Sequence, residues 1–416
     1  MENEALMPDT LASLEEIILE AGLPKSVIDR SDFLPSLILG TPEADSLSGT
    51  ADRDYIFGFA GDDELLGLGG NDFLFSGPGN NTIRGGEGRD RIYGDSGQDN
   101  LFGDAGDDRF RDTSGGNNID GGEGRDTVNY RNISGPIDFR FDVETTEISS
   151  DPREILAEGR LQIAQEGLDP DNISSIERVI APEDKNNTID FRENFFRGRF
   201  GPDGTAAVIA PSINVDLEEE LLRFDELAIT VENFQTVFGS INDDVIKGDD
   251  QNNRLEGFGG VDVVEGRGGN DLLSTFEEDT LVGGIGSDTF ELKGLSKIQG
   301  SNQPTVGFVS ASTIADFEPG VDRIQLSRDR ESFGSGIASE ITVYIGFTEL
   351  SAGSLDADQF AVLGSGSTPT GPGFLYDNAT GDLFYRDGNL SDAGARRRIA
   401  TLQGAPDISA SDIFVV

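Results

Sequence analysis

Apolar residues recur with a period of nine over residues 40–129. Reading in nines from Gly40 gives ten consecutive units without insertion or deletion, from GTPEADSLS to GGEGRDTVN. The eighth residue of each unit would point to one face of a short strand and its neighbours to the other. One unit cannot bury that residue alone, but stacked units can, so the pattern predicts a solenoid. The eighth residues are Leu47, Ile56, Leu65, Leu74, Ile83, Ile92, Leu101, Phe110, Ile119 and Val128.

A second, more degenerate block of the same unit runs from Gly239 to Glu291. Its units are GSINDDVIK, GDDQNNRLE, GFGGVDVVE, GRGGNDLL, STFEEDTLV and GGIGSDTFE. The fourth is one residue short, and the fifth has lost its glycines. The period nevertheless predicts a second stack of short strands.

The segments outside the blocks lack the nine-residue period. Residues 6–28 predict an amphipathic helix, with Asp9 or Thr10 at its N-cap and Gly22 after its last turn. Residues 130–238 predict strands that continue or flank the roll, with a helix at 152–166. Alternating strand signals separated by Gly/Ser/Pro loops continue through 292–416. The divisions are an N-terminal helical cap (1–39), a first roll (40–129), a β-rich insert (130–238), a second roll (239–291) and a C-terminal β region (292–416).

The turn of each unit has the chemistry of a hard-cation site. Glycines at the first and fourth positions allow positive φ and close approach of backbone. The sixth position of the first block is Asp in eight units and Asn in two. A column of stacked carboxylates would repel itself, whereas calcium, with six to eight oxygen ligands, would bind them together with turn carbonyls. The predicted ligands are Asp45, Asp54, Asp63, Asp72, Asn81, Asp90, Asp99, Asp108, Asn117, Asp126, Asp244, Asp262, Asp271, Asp279 and Asp288, with carbonyls near Gly49, Gly67, Gly85, Gly103 and Gly121.

Composition agrees with bound cations and excludes several other functions. The 416 residues include 31 basic and 78 acidic side chains, a formal charge of −47, which disfavours nucleic acid as a partner. Histidine and cysteine are both absent, which excludes His-Glu-x-x-His zinc hydrolases and Ser-His-Asp triads. No apolar run of about 18 residues predicts a membrane span, and the N-terminus lacks the features of a secretory signal peptide.

The repeats resemble the haemolysin-type calcium-binding nonapeptides of the RTX family. The resemblance implies an all-β fold in which two nonapeptides form one turn of a right-handed parallel β-roll. It also implies calcium as the cofactor, held between unit i and unit i+2 on the same edge. The segment Ser312–Ser327 is similar to one that follows the repeats in exported members. The ending Ser411–Val416 resembles the terminus read by type I exporters, which implies a type I secretion apparatus as a partner.

The two edges of the first roll are predicted to bind calcium unequally. Alternate units share an edge, so Asp54, Asp72, Asp90, Asp108 and Asp126 form one column, for which four calcium positions are predicted. The other edge is predicted to hold one well-formed site, between Asp45 and Asp63. Partly occupied or water-filled sites are expected near Asn81 and Asn117, because asparagine keeps an oxygen donor but loses the charge.

These observations favour a secreted, non-enzymatic calcium-binding protein of the cell surface or extracellular matrix that folds on binding calcium. Partners beyond calcium would be a second copy of the chain or a surface polysaccharide, as in a self-assembling protein or an adhesin. The alternative is a secreted polysaccharide-active or other hydrolytic enzyme that carries RTX repeats. A cleft lined by converging carboxylates in 130–238 would favour the enzyme, although the sequence contains no G-x-S-x-G elbow or P-loop.

Overall fold

The computed structural model divides into two compact units, residues 1–128 and 129–416. Each unit is described by itself. The predicted helix at 6–28 lies outside the described residues. The residues that the structure describes are 37–111, 116–145, 157–165, 167–183, 185–192, 212–224, 227–240, 242–275, 278–293, 296–299, 311–326, 340–343, 350, 352–365, 369, 371–386 and 396–416.

The described part of the first unit is built from short parallel strands. Strand β1 lies within the segment assigned to the N-terminal cap and pairs with β3, so the stack begins before Gly40. The strands are β1 (Leu37–Leu39), β2 (Ser46–Ser48), β3 (Tyr55–Phe57), β4 (Glu64–Gly70), β5 (Phe73–Phe75), β6 (Thr82–Gly88), β7 (Arg91–Tyr93), β8 (Asn100–Ala105), β9 (Arg109–Arg111), β10 (Asn118–Asp120) and β11 (Thr127–Asn129).

The strands pair in two parallel series, with partners eighteen residues apart. One series is β2, β4, β6, β8 and β10, in which Leu47 pairs with Leu65 and Leu65 with Ile83. The other is β1, β3, β5, β7, β9 and β11. One coil therefore contains two nonapeptides, and alternate units share an edge. From Ile56 to Val128, every eighth-position side chain is at most 1% exposed, so these residues form the core.

The outward positions of β3, β5 and β7 carry an aromatic ladder. Phe73 lies with its ring centroid 4.9 Å from that of Tyr93 and 5.7 Å from that of Phe57. Phe57 and Phe73 are 0% and 3% exposed. They are buried although their side chains lie on the face of the sheet opposite to that of the inward residue Leu74. Burial in this part of the roll therefore extends to both faces of the sheet.

The second unit also contains mostly short strands, with two 3-10 turns at Ala357–Gln359 and Ala410–Asp412. Its strands are β12 (Ile137–Thr145), β13 (Ala157–Gln165), β14 (Asp171–Ser174), β15 (Arg178–Ile180), β16 (Thr188–Asp190), β17 (Ile213–Asp216), β18 (Leu221–Phe224), β19 (Leu227–Glu232), β20 (Thr236–Phe238), β21 (Val245–Lys247), β22 (Arg254–Glu256), β23 (Val263–Glu265), β24 (Leu272–Thr275), β25 (Thr280–Val282), β26 (Thr289–Leu292), β27 (Ser296–Gln299), β28 (Ser312–Ile314), β29 (Arg323–Leu326), β30 (Glu340–Val343), β31 (Gly353–Ser354), β32 (Phe360–Val362), β33 (Gly373–Asp377), β34 (Asp382–Arg386), β35 (Arg397–Leu402) and β36 (Ile413–Val415).

Two parallel series extend through the insert, the second repeats and the C-terminal region. One is β12, β16, β20, β22, β24, β26, β29 and β36. The other is β17, β21, β23, β25, β28 and β35. The register offset is eighteen between Val245 and Val263, and seventeen between Val263 and Thr280. Ser274 pairs with Glu256 and Glu291, the ninth residues of their units, so the missing residue is lost after Ser274 and before Thr280, and the strands stay aligned.

Antiparallel excursions interrupt this stack, and one of them overturns a prediction. Residues 157–165 were expected in a helix over 152–166, but they form strand β13, antiparallel to β12. Leu161 and Ile163 alternate with polar residues and pair with Phe141 and Phe139. The apolar residues therefore follow the two-residue period of a strand and not the period of a helix. Residues 152–156 lie outside the described part of the chain. The other excursions are β17–β18–β19 and β33–β34–β35.

Candidate calcium-binding sites

The sixth-position side chains of the first unit form two hydrogen-bonded columns. In each, a side-chain Oδ1 accepts the backbone N–H of the sixth residue one coil earlier. Asp72 accepts from Asp54 at 2.8 Å, and Asp90 accepts from Asp72 at 2.7 Å. One column is Asp54, Asp72, Asp90, Asp108 and Asp126, and the other is Asp45, Asp63, Asn81, Asp99 and Asn117.

The second unit contains two further columns of the same kind. Their N–H to Oδ1 distances are 2.8–3.0 Å. One column is Asp244, Asp262 and Asp279, and the other is Asn253, Asp271, Asp288 and Asp322.

Sequence reasoning missed two members of these columns, Asn253 and Asp322. Asn253 is the sixth residue of GDDQNNRLE and was left out of the predicted ligands although the same position was counted elsewhere. Asp322 lies beyond the second block, in Gly320-Val-Asp-Arg-Ile-Gln325. That segment keeps the fourth-position glycine, the sixth-position aspartate and the eighth-position apolar residue. This half-motif was the available signal.

A second ladder, at the fifth position, was also missed. Here the side chain accepts the N–H one coil later, opposite to the direction of the sixth-position ladder. Asp62 Oδ1 accepts from Asn80 at 2.8 Å, and Asn80 Oδ1 accepts from Gln98 at 2.9 Å. On the other edge, Asn71 Oδ1 accepts from Arg89 at 2.9 Å. The paired ladders hold each turn to the turns above and below it and fix the position of the carboxylates.

The second carboxylate oxygen has a different environment. In several sixth-position aspartates of the described turns, Oδ2 is buried and has no hydrogen-bond partner. A buried oxygen without a partner costs folding free energy unless an ion or a water molecule binds it. The residues concerned include Asp63, Asp72, Asp90, Asp108, Asp262, Asp271 and Asp288.

A main-chain carbonyl points to the same place as several of these oxygens. A Cβ added at Gly85 would lie 2.8 Å from the Gly103 carbonyl oxygen and closer still to Asp90 Oδ2. Equivalent pairs are Gly85 O with Asp72 and Gly121 O with Asp108. Gly67 O converges in the same way on Asp54 Oδ2, but that oxygen also accepts hydrogen bonds from Thr50. The first-position glycine is thus required because a side chain would occupy the space where two oxygens converge.

This donor set fits calcium. Among the residues that the structure describes, no three acidic side chains gather around one point. Ligands would come from the column carboxylates and the first-position carbonyls. Calcium accepts carboxylate and main-chain carbonyl oxygens together in flexible geometry. When bound, it would supply positive charge between the stacked carboxylates and complete the unpartnered oxygens.

The Asn81 turn is satisfied differently. Asn81 Nδ2 donates to the carbonyl oxygens of Gly77 at 2.9 Å and Gly79 at 3.3 Å. Ser76 Oγ donates to the Gly94 carbonyl oxygen at 3.0 Å. These donors lie in a turn where the sequence predicted a weakened site. The Gly94 carbonyl, a first-position carbonyl like those that converge with Oδ2 elsewhere, is here satisfied by a hydrogen bond of the chain itself. Residues 112–115, which precede Asn117, lie outside the described residues.

Burial raises the pKa values of several column aspartates. Burial, with a smaller contribution from neighbouring carboxylates, raises the pKa of Asp72 and of Asp108 to about 7. In each case the accepted backbone N–H acts in the opposite direction. The pKa of Asp271 is raised to about 7 for the same reasons, and that of Asp262 is raised by burial and by the Asp279 charge. Without a cation, these side chains resist ionisation.

The pH dependence of the calcium-free protein should follow from these shifts. A carboxyl group whose pKa is raised from 3.8 to about 7 by folding destabilises the fold as pH rises through that interval. The calcium-free chain should therefore have a stronger β-sheet signal at about pH 5 than at about pH 8, and calcium affinity should rise over the same range. Circular dichroism in calcium-depleted buffer checks this. A calcium-free chain that is more ordered at pH 8 would contradict it.

Comparison with known proteins agrees with the geometry. The family model of the RTX calcium-binding nonapeptide repeat matches residues 39–74, 75–110 and 238–273. The predicted resemblance is confirmed: the chain carries RTX calcium-binding nonapeptide repeats in several copies. No curated protein has a significant match to the chain. Within the described residues, no helix has the length and apolar character needed to cross a bilayer.

Three solved structures are similar to parts of the chain. The AlgE6R3 subunit of the mannuronan C5-epimerase from Azotobacter vinelandii is 28% identical, over 42% of this chain and 80% of that one, with a TM-score of 0.23. The AlgE6R2 subunit is 25% identical, over 40% of this chain and 90% of that one, with a TM-score of 0.21. The extracellular lipase LipA from Serratia marcescens is 19% identical, with a TM-score of 0.22. That match covers 82% of this chain and 40% of the lipase.

Proposed function

We propose that the chain is a secreted, non-enzymatic calcium-binding protein of the cell surface or extracellular matrix, which folds around its calcium ions. The observation that carries the proposal is the convergence of buried, unpartnered Oδ2 atoms with first-position carbonyls. It recurs at Asp72, Asp90 and Asp108 on one edge and at Asp271 in the second unit. A bound cation would give each of these unpartnered oxygens a positively charged partner.

The net charge supports the coupling of binding to folding. A formal charge of −47 opposes a compact chain unless cations are bound. Calcium sites of extracellular modules have dissociation constants of roughly 10⁻⁴ to 10⁻³ M. At cytoplasmic calcium concentrations such sites would be empty and the chain would remain loose. In extracellular medium the sites would fill and the roll would form.

The carboxylates of the described repeat turns support the non-enzymatic part of the proposal. The carboxylates of Asp72, Asp90 and Asp108 are each held by a backbone N–H and face the first glycine of their own turn, an arrangement suited to an ion ligand. The sequence contains no histidine or cysteine to serve as a general base or thiol nucleophile.

Direct measurement of bound calcium tests the proposal. The purified chain is dialysed against millimolar calcium, and the bound metal is counted by mass spectrometry. Several ions per chain are expected, and magnesium should not replace them, because it demands smaller, near-octahedral sites. A chain that remains folded while binding no calcium would refute the proposal.

Export is expected to depend on the C-terminus. Deleting residues 411–416 should keep the protein inside the cell while calcium binding by residues 40–129 persists. The deletion also removes β36, which pairs with β29, so a control for lost packing is required. Ile324 pairs with Ile413 and is fully buried, so Ile324→Asn disturbs the same stack and leaves the terminus intact. Ile324→Asn should still be exported. Normal export of the deletion variant would contradict the type I interpretation.

A further inference from the structure

The repeat turns occur in an open and a closed form, distinguished by the second and fourth positions. In the open form both residues have positive φ, as at Gly86 (105°) and Gly88 (132°). The sixth-position Oδ2 of this turn, in Asp90, has no hydrogen-bond partner. The backbone bends away and no N–H of the turn reaches that oxygen.

In the closed form, the turn itself satisfies the sixth-position carboxylate. Asp54 Oδ2 accepts the Thr50 N–H at 2.6 Å and the Thr50 hydroxyl at 3.0 Å. Thr50 Oγ1 also accepts the Asp52 N–H at 3.1 Å. Neither Thr50 nor Asp52 has a positive φ.

Among the described turns of the two repeat blocks, four have this closed form, and they are the first two turns of each block. The Asp322 turn, beyond the second block, also has a second-position donor, because the Glu318 N–H bonds Asp322 Oδ2 at 2.8 Å. The second-position N–H bonds the sixth-position oxygen at 2.6 Å in Asp45, 2.6 Å in Asp244 and 2.8 Å in Asn253. The second-position side chain bonds the fourth-position N–H in each turn, as from Gln251 to Asp249 at 2.8 Å. Because two nonapeptides make one coil, the closed turns make up the whole first coil of each block.

A closed turn is a poor place for a cation. Its side-chain oxygen already accepts a short backbone N–H, which would compete with calcium for that oxygen. The N–H dipole also presents its positive end where the ion would lie. An open turn imposes neither cost, and its buried oxygen costs free energy until it is partnered.

We propose that the first coil of each repeat block is a calcium-free cap and that calcium binds only at the open turns. This inference rests on the proposed calcium-binding function and specifies which turns carry it. It removes the Asp54–Asp72 and Asp45–Asp63 positions from the sites expected from sequence. The Asn81 turn, satisfied by its own amide, is likewise calcium-free. The open turns include those that end at Asp63, Asp72, Asp90, Asp108, Asp262, Asp271 and Asp288.

A matched pair of substitutions on one edge tests the inference. Asp54 and Asp90 occupy the same repeat position and the same column, in a closed and an open turn respectively. Bound calcium is counted in the full chain for wild type, Asp54→Ala and Asp90→Ala. The count should be unchanged in Asp54→Ala and lower by at least one in Asp90→Ala. Loss of an ion in Asp54→Ala, or no loss in Asp90→Ala, overturns the inference, whereas a wild-type chain that binds no calcium overturns the proposed function.

A gain-of-site variant provides a second, independent test. Thr50→Gly with Asp52→Gly converts GTADRD into GGAGRD, which differs from the open turn at residues 85–90, GGEGRD, only at the third position. The double variant should bind one more ion than wild type. An unchanged count in a variant with a wild-type β-sheet spectrum overturns the inference. If the variant does not fold, the Asp54 and Asp90 pair alone decides it.

Discussion

Removal of calcium should unfold the repeat turns of both blocks. Each independent site contributes about 2.7 kcal/mol when calcium is 100-fold above its dissociation constant. Three such sites contribute about 8 kcal/mol, which is comparable to the whole stability of a typical domain at about 5 to 15 kcal/mol. The open turns number more than three, so the calcium-free chain should lose its cooperative fold at neutral pH.

Circular dichroism with and without a chelator measures this effect. The β-sheet signal should collapse on chelation and return when calcium is restored, with a midpoint near 10⁻⁴ to 10⁻³ M. Magnesium at the same concentration is the control and should not restore it. A β-rich spectrum and an unfolding temperature that both survive chelation would contradict the prediction.

Replacing Asp90 should destabilise the loaded protein far more than replacing Asn117. Both side chains are buried, and each accepts a sixth-position N–H at 2.7 Å, from Asp72 and from Asp99 respectively. The alanine variants therefore lose the same hydrogen bond, which costs about 1 to 3 kcal/mol when a buried donor is left unsatisfied. Asp90→Ala also loses a charged ligand on the all-aspartate edge and should disturb the sites above and below it, at about 2.7 kcal/mol each.

Denaturant unfolding at several calcium concentrations measures the difference. Asp90→Ala should cost several kcal/mol more than Asn117→Ala in millimolar calcium, and the gap should shrink as calcium is lowered. The shrinking gap separates lost ion binding from lost packing. Equal costs for the two variants at saturating calcium would show that the edges bind alike and would refute the unequal-edge prediction.

Much of the fold was predictable because the nine-residue period acts through strand geometry. A strand of three residues has one inward side chain. An apolar residue at the eighth position of each nine-residue unit therefore specifies a stack without reference to distant contacts. The same regularity assigns Asp54 and Asp72 to one edge and Asp45 and Asp63 to the other. Asp322 was missed because its half-motif stands outside the run of repeats, although its local pattern is the same.

Other features could not be predicted because they depend on groups that are distant in sequence or on local backbone choice. Residues 157–165 form a strand because β12 offers apolar partners to Leu161 and Ile163. The outward Phe57 and Phe73 are buried although period-two alternation alone would place them on the solvent side. These outcomes arise from tertiary neighbours, which override local propensity.

The sequence by itself determined the repeat length, the inward apolar column, the edge on which each sixth-position aspartate lies and the calcium-type chemistry of the turns. These are consequences of spacing and side-chain type. Only the tertiary structure decided which of those aspartates has an oxygen left for an ion. The backbone of the first coil directs the Thr41 and Thr50 N–H groups at Asp45 and Asp54. At Asp90 the positive φ angles of Gly86 and Gly88 turn the backbone away. The fourth residue, Asp52 in one turn and Gly88 in the other, is a local signal for this difference, but whether the oxygen keeps a partner is visible only in the folded chain.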